Sequence, residues 1–358
     1  MIRLIRARID SAALRANLSQ LRSRAPGARI MAVVKANAYG HGLVGTALAL
    51  ADADAFAVAR IEEAVALRGA GVAQPIVLLE GVVSEEQLAE AAHLQLDLVV
   101  HEPGQLALLE AFRGEYRFRL WLKLDSGMNR LGFRPEEFAA AWGRLQTLRT
   151  RPLALRVLTH LACADERDPQ ITDQQLARLA PLLRNVNAEV SIANSAALLA
   201  RPDSHADWVR PGLALYGVSP FADRTGVEFG LRAAMSLDST VLAVKTVLTG
   251  ERVGYTGAWQ ARRPSRIATV AGGYGDGLLR SLPNGAPVLI NGIRAPLAGR
   301  VSMDMIGVDV TDLPQVKVGD AVQLWGAALP VEELARAAGT IAYELLCGIS
   351  QRVPVELS

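Results

Sequence analysis

Lysine is almost missing from this chain: of its 38 basic residues 34 are arginine and four are lysine, Lys35, Lys123, Lys245 and Lys317. A GC-rich genome accounts for such a bias across the chain at large, but each surviving lysine then raises its own question. Cysteine is nearly as scarce. Cys163 and Cys347 form neither a metal-binding spacing nor a disulfide framework, which fits a reducing, cytoplasmic setting. Excess charge is absent too: 38 basic against 36 acidic residues leave +2, so the electrostatic signature of nucleic-acid binding is missing. No apolar run approaches the ~18 residues that a membrane span needs. The stretch Met1–Arg8 carries charge with no apolar segment behind it, so a secretory signal is not expected. The chain also lacks G-x-x-x-x-G-K-[ST], H-E-x-x-H and any carboxylate-rich cluster, and no metal is expected.

What remains is 358 residues, 51% hydrophobic and 21% charged, enough for two domains with real cores. A helix is expected from about Asp10, a plausible N-cap, with Leu14, Leu18 and Leu21 on one face, ending at Pro26-Gly27. Apolar runs then recur near residues 29–34, 55–60, 75–80, 96–101, 116–125, 153–160, 188–193 and 208–216. Amphipathic stretches lie between most of them, and those at Ser84 and Thr172 start on residues suited to capping. Eight strands, each preceded by a helix-compatible segment, predict an N-terminal (β/α)8 TIM barrel over residues 1–225. A doubly wound open sheet is the alternative, but no G-x-G-x-x-G follows the first strand.

After about residue 225 the texture turns to β-type runs at 239–244, 266–270, 287–290, 305–310 and 321–325, with a hairpin signal at Asn291-Gly292. Helix is expected only at Val331–Ala338 and near Ala342–Leu346. Residues 226–358 are therefore expected to form a mainly β C-terminal domain.

In a βα barrel the catalytic groups stand at the C-terminal ends of the strands. Lys35 ends the first strand, where desolvation would lower its pKa toward that of a reactive amine; a strand-end lysine reaching for solvent is the plainer reading. In the run 116–125, period two turns Arg117, Arg119, Trp121, Lys123 and Asp125 toward the barrel interior. An inward Lys123 is costly unless paired or modified. Arg130 falls in the following loop, able to hold a carboxylate. His160 ends the sixth strand, Ser195 follows the seventh, and Arg210 and Gly212 lie in the eighth. The loops after strands seven and eight are a common phosphate site, which makes Ser195 and the Gly212 backbone candidates.

The segment Ala32-Val33-Val34-Lys35-Ala36-Asn37-Ala38-Tyr39-Gly40-His41-Gly42 resembles the pyridoxal-phosphate lysine motif of bacterial alanine racemases. Further matches follow in order: Lys123-Leu124-Asp125-Ser126-Gly127-Met128-Asn129-Arg130, Asn194-Ser195, Trp208–Gly212, Val253-Gly254-Tyr255, Gly273–Gly277 and Gly299–Met305. The resemblance covers essentially the whole length. It implies a pyridoxal 5′-phosphate-dependent amino-acid racemase that interconverts L- and D-alanine as a homodimer with shared active sites. Lys35 would carry the cofactor covalently and move a proton on the D face; Tyr255 of the partner subunit would do so on the L face. A free tyrosine ionises near pH ~10, and the family pattern supports Tyr255 through His160 and Arg210, with Arg210 also facing the cofactor's ring nitrogen. Tyr39, Ser195, the Gly212 backbone and Tyr343 resemble the phosphate contacts. Arg130 and the Met303 N–H resemble the substrate-carboxylate site. Lys123 matches a lysine carbamylated in the family, while Tyr274, Arg280 and Asp304 match supporting residues.

Ser302 stands where many members carry cysteine, Leu161 where an aromatic is common, and Gly275 and Leu278-Leu279 replace more usual residues near the entrance. These departures bear on selectivity and turnover rather than on the reaction class. Three other functions fit parts of the pattern. A racemase of serine or lysine would be told apart by comparing turnover, and a same-plan decarboxylase by carbon dioxide release. A non-catalytic cofactor carrier would resemble the barrel alone.

Overall fold

The structure is a computed structural model that describes residues 4–184 and 186–358; Met1–Arg3 of the charged N-terminal stretch lie outside the described residues. The chain divides into two compact units, each described separately. Residues Asn17–Ala38 and Leu43–Leu215 form one; residues 4–16, Tyr39–Gly42 and Tyr216–Ser358 form the other.

The chain opens with a strand that the sequence reading leaves out, β1 (Arg6–Ile9). The barrel strands follow: β2 (Arg29–Val33), β3 (Ala55–Val58), β4 (Ile76–Leu78), β5 (Asp97–Val100), β6 (Arg119–Lys123), β7 (Ala154–Leu158), β8 (Val190–Ser191) and β9 (Trp208–Val209). Every neighbouring pair is parallel, and β9 returns to β2, which closes the barrel. All eight lie inside the runs picked out from the sequence. A parallel strand in a barrel is covered on both faces, so it appears as a continuous apolar run; β3, β4 and β5 are buried at every position.

Helix starts show where side chains compete for the backbone. Asp10 Oδ1 accepts from Ala13 N at 2.9 Å, and Ser84 Oγ accepts from Gln87 N at 3.3 Å, as capping requires. Thr172 does not cap. The helix Gln170–Leu183 begins two residues earlier, Asp168 Oδ1 accepts from Gln170 N at 3.0 Å, and Thr172 is buried within the helix.

Charge enters the barrel among β5, β6 and β7. The Asp97 side chain is 1% exposed, 3.4 Å from Arg156 Nη1 and 3.7 Å from Arg119 Nη1. The Arg156 guanidinium also lies 5.0 Å from the Trp121 ring centroid and 5.4 Å from that of Trp208, close enough for cation–π attraction. Burial outweighs both arginines and pushes the Asp97 carboxyl up to about 6.

The second unit is built on a sheet ordered β15-β14-β17-β10-β1-β18. Its strands are β10 (Met235–Val247), β11 (Arg252–Val253), β12 (Trp259–Gln260), β13 (Ser265–Ala271), β14 (Pro287–Ile290), β15 (Ile293–Pro296), β16 (Met305–Asp309), β17 (Ala321–Trp325) and β18 (Val355–Leu357). β13 bridges β10 and β16, while β11 and β12 form a separate ribbon. Strand β1 pairs antiparallel with β10 and parallel with β18, burying Ala7 and Ile9 while Arg6 and Arg8 face outward. The sequence boundary near 225 runs along the chain, whereas this pairing sets residues 6–9 among strands from beyond 235. The β14–β15 turn follows its dipeptide: Asn291 and Gly292 have φ of 50° and 81°, the double left-handed geometry of a type I′ hairpin. Helices fall at Val331–Ala338 and Ala342–Cys347, as expected.

Among the described residues, no helix is long and apolar enough to cross a membrane.

Candidate active site

Lys35 follows β2 directly, and the backbone beyond it does something rare. Ala36, Asn37, Ala38 and Tyr39 all have φ between 52° and 54°, so four successive non-glycine residues run in the left-handed helical region. Each such residue costs roughly 1–2 kcal/mol against the right-handed form, so the turn must be held from outside. Glu63 Oε1 accepts from Ala36 N at 2.6 Å, and Asn37 Oδ1 accepts from Leu43 N at 2.9 Å. The other Glu63 oxygen takes the N–H groups of Ala59 and Arg60, so one carboxylate fixes the ends of both β2 and β3.

Lys123 ends β6 and is 9% exposed. Burial lowers its pKa to about 8, helped by the like charges of Arg210, Arg130 and Lys35 and opposed by Asp125. Arg130 sits in a loop closed by Phe133 N donating to Lys123 O at 2.9 Å and Asp125 N to Phe133 O at 2.8 Å. Asp125 Oδ1 braces that loop by accepting from Gly127 N and Asn129 N at 2.9 and 3.1 Å.

Arg210 is 5% exposed and meets no carboxylate among the described residues. Its Nη1 donates to Ser191 Oγ at 2.6 Å; its Nη2 donates to the carbonyls of Thr159 and Ile192 and to Nδ1 of His160 at 3.3 Å. Burial brings its pKa down to about 10, which leaves the guanidinium charged at neutral pH. His160 is held well below its usual pKa, first by burial and then by Arg210, Lys123, Arg130 and Lys35. The imidazole is therefore neutral. With Nδ1 accepting from Arg210, its proton belongs on Nε2.

Ser195 begins the helix Ser195–Ala200, capped by Asn194 Oδ1 accepting from Ala197 N at 3.0 Å. Its hydroxyl accepts from Gly212 N at 2.9 Å and from Ala214 N at 3.3 Å. The Ser195 proton finds no acceptor among the described residues. A buried hydroxyl proton without an acceptor, together with a buried Arg210 that meets no acid among the described residues, is a donor set that an anionic phosphate cofactor would satisfy. The residues fit pyridoxal phosphate.

The other expected site residues lie on the β unit. Tyr39 packs its ring 5.0 Å from that of Tyr216 and 5.8 Å from that of Tyr343. Burial, then Tyr343 and Cys347, push its phenol well above the ordinary value, so it stays a hydrogen-bond donor. Gly40 beside it has φ +80°, and a Cβ there would meet Leu346 O at 2.0 Å. Tyr255 stands on a short turn, 67% exposed, and Arg280 is exposed. Tyr274, Met303 and Asp304 occupy two loops joined by Tyr274 N donating to Ser302 O at 3.0 Å. Two residues that the sequence reading passed over brace the site: Glu63 at the turn after Lys35 and Arg352 at the Met303 loop, the latter with Asp276, which entered only within the matched segment Gly273–Gly277. Glu63, three residues after Arg60 at a helix start, carried a readable signal; Arg352 carried none, because its partners lie 48 and 76 residues away.

Known proteins resemble this chain in sequence and fold. The family model "Alanine racemase, N-terminal domain" matches residues 9–220, and "Alanine racemase, C-terminal domain" matches residues 234–357. The alanine racemase of Nitrosomonas eutropha is 50% identical over 357 residues, covering 99% of each chain. That of Chromohalobacter salexigens is 48% identical over 355 residues, 99% of this chain and 98% of its own. Among solved structures, the biosynthetic alanine racemase from Pseudomonas aeruginosa superposes with a TM-score of 0.97 at 47% identity, each chain fully covered. The alanine racemase from Acinetobacter baumannii gives 0.94 at 38%, again over both whole chains. With both domain models matched in order and half of all residues shared with a full-length relative, the chain belongs to the alanine racemase family.

Proposed function

We propose that this protein is a pyridoxal 5′-phosphate-dependent alanine racemase that interconverts L- and D-alanine with two bases on opposite faces of the substrate. The observation that carries this reading is the convergence of four cations, Lys35, Lys123, Arg130 and Arg210, on His160, with Lys123 and Arg210 buried and Arg210 meeting no carboxylate among the described residues. When bound, the cofactor supplies an electron-withdrawing ring that acidifies the amino acid's Cα–H.

Lys35 would hold the cofactor through its primary amine and, once displaced, take or return the Cα proton at Nζ. The partner subunit's Tyr255 would do the same from the other face at Oη, supported by the Nε2–H of His160 and by Arg210 behind it. Arg210, which keeps its own proton, would face the cofactor's ring nitrogen and leave it unprotonated, which would limit electron withdrawal and favour return of the proton over side reactions. Ser195, the Gly212 N–H, Tyr39 and Tyr343 would hold the phosphate, and Arg130 with the Met303 N–H the substrate carboxylate. Tyr274, Arg280 and Asp304 would shape the approach. Lys123 would react as a neutral amine with carbon dioxide, forming an N–C bond and releasing one proton, and the carbamate would offset Arg130. Its lowered pKa supports this, because the neutral amine is the reacting form.

The pairing of Lys35 with Tyr255 of the partner subunit requires a homodimer. We place the cofactor-bearing lysine before about residue 225 and the tyrosine base, with the phosphate contact Tyr343, in the mainly β part beyond it. Cys163 and Cys347, which form no disulfide, suit a cytoplasmic location. D-alanine made there would serve peptidoglycan or alanine catabolism.

A coupled assay for D-alanine from L-alanine with cofactor-loaded protein tests the reaction. Absence of product sinks it, and a faster turnover of serine or lysine would reassign the substrate. Y255F should remove racemisation while Lys35 still binds cofactor; near-normal rates would refute the two-base assignment.

A further inference from the structure

Two loops of the β unit are stitched together beyond the end of the β13–β16 ladder. Gly272 N donates to Asp304 O at 2.9 Å, Tyr274 N to Ser302 O at 3.0 Å, and Gly275 N to Met303 O at 2.9 Å. The approach is so close that a Cβ on Gly273 would lie 2.1 Å from Ser302 O. A side-chain clamp reinforces these bonds. Arg352 Nε and Nη2 donate to the two oxygens of Asp276 at 2.7 and 3.1 Å, and Nη2 also donates to Asp304 Oδ1 at 2.6 Å. Asp276 Oδ2 in turn accepts from Gly273 N at 2.9 Å, and its carbonyl accepts from Ser350 N at 3.2 Å.

Met303 is the residue this arrangement encloses. Its carbonyl is engaged by Gly275, and the side chain after it is engaged by Arg352. The Met303 N–H donates to no other group among the described residues, and the residue is 52% exposed. A peptide held on both sides with its N–H unspent among the described residues is a donor held ready for a ligand.

We propose that Arg352 is a positioning residue for the substrate carboxylate: through Asp304 and Asp276 it fixes the Met303 peptide whose N–H receives that carboxylate. The proposal deepens the racemase reading and rests on it. A hydrogen bond weakens steeply with angle, and misplacing a reacting group by about 1 Å can lower rates by roughly 100-fold. The Arg352 side chain is 49% exposed but the Asp276 carboxylate that it pairs is 3% exposed, so losing Arg352 leaves a buried acid without its cation. Stability is therefore measured beside function, and D304N, whose pair with Arg352 is half-exposed on both sides, separates the two.

The test uses cofactor-loaded enzyme with R352Q, R352K, D304N and R294Q. The last removes a comparable bidentate pair, Arg294 with Glu333, from the same unit and serves as the control. KM for L-alanine and the inhibition constant of acetate, a bare carboxylate, are measured beside the cofactor absorbance and Tm. R352Q should raise both constants together by about tenfold, with kcat changed less and absorbance unaltered. R352K, too short to span both acids, should fall between. D304N, which weakens the bond from Arg352 to the Met303 loop, repeats the test should R352Q fail to fold. An unchanged acetate constant in R352Q and D304N, or an equal rise in R294Q, overturns the proposal. Wild-type holoenzyme that makes no D-alanine overturns the racemase reading itself, so the two failures are distinguishable.

Discussion

Nη2 of Arg210 lies 3.3 Å from Nδ1 of His160, a guanidinium donating to an imidazole that its surroundings keep neutral. The pair fixes one tautomer. Nitrogen-15 spectra should show Nδ1 as an unprotonated and Nε2 as a protonated nitrogen, without change between pH ~5.5 and ~8. R210Q, which removes the second-largest cause of the depression, should move the imidazole midpoint up toward the ordinary histidine value. A wild-type midpoint near pH ~6.5 would show that the cluster does not act as described.

Lys123 faces three cations with a pKa of about 8. An ammonium disfavoured in the native state lowers stability where it is charged, so stability should rise as pH climbs through that value toward the ordinary lysine range. A carbamate removes the charge conflict and flattens the rise. Unfolding titrations between pH ~7 and ~10, with and without bicarbonate, should therefore differ in slope, and 13C-bicarbonate should give a carbamate signal lost in K123A. Identical slopes and no signal would leave Lys123 a plain amine.

Asp97 works in the opposite sense to most carboxylates. Its raised value means that the folded state binds the proton more tightly than the unfolded chain between pH ~4 and ~6. Its contribution is most favourable in acid and is lost as pH rises through about 6. Compared with D97N, wild type should lose about 2 kcal/mol of relative stability between pH ~4.5 and ~7. Parallel curves in urea titrations would refute it.

The left-handed turn after Lys35 gives a fourth expectation. Asn37 has φ 54° and accepts from Leu43 N. Asparagine tolerates that region better than alanine does, so N37A loses both the preference and the bond, about 1–2 kcal/mol in chemical unfolding. A36G should be neutral or stabilising, because glycine relieves the strain at φ 54°. N37A as stable as wild type would show that the turn is held by other contacts.

Much of the barrel was legible because its strands are buried on both faces and appear as unbroken apolar runs. The strand-end rule then brought out Lys35, His160, Ser195 and Arg210. Strand β1 was hidden, since four residues with two arginines give too short an alternation to separate from a helix approach. Thr172 misled because capping depends on the preceding backbone, where Asp168 does the work. Arg352 left no local trace, and Asp276 entered only within the matched segment Gly273–Gly277, as their meaning lies in contacts between distant loops. Tyr255 and Met303 could be placed only by resemblance, because an exposed residue on a turn has no pattern of its own.

Strand β1 also sets a schedule for the growing chain. Its neighbour β10 begins about 225 residues later, which at ribosomal speed is on the order of 10–45 seconds. All eight barrel strands emerge within that interval. Residues 6–9 have no antiparallel partner until β10 is made, and Ala7 and Ile9 lack its cover until then. Outward-facing Arg6 and Arg8 keep that waiting strand from pairing with another nascent chain.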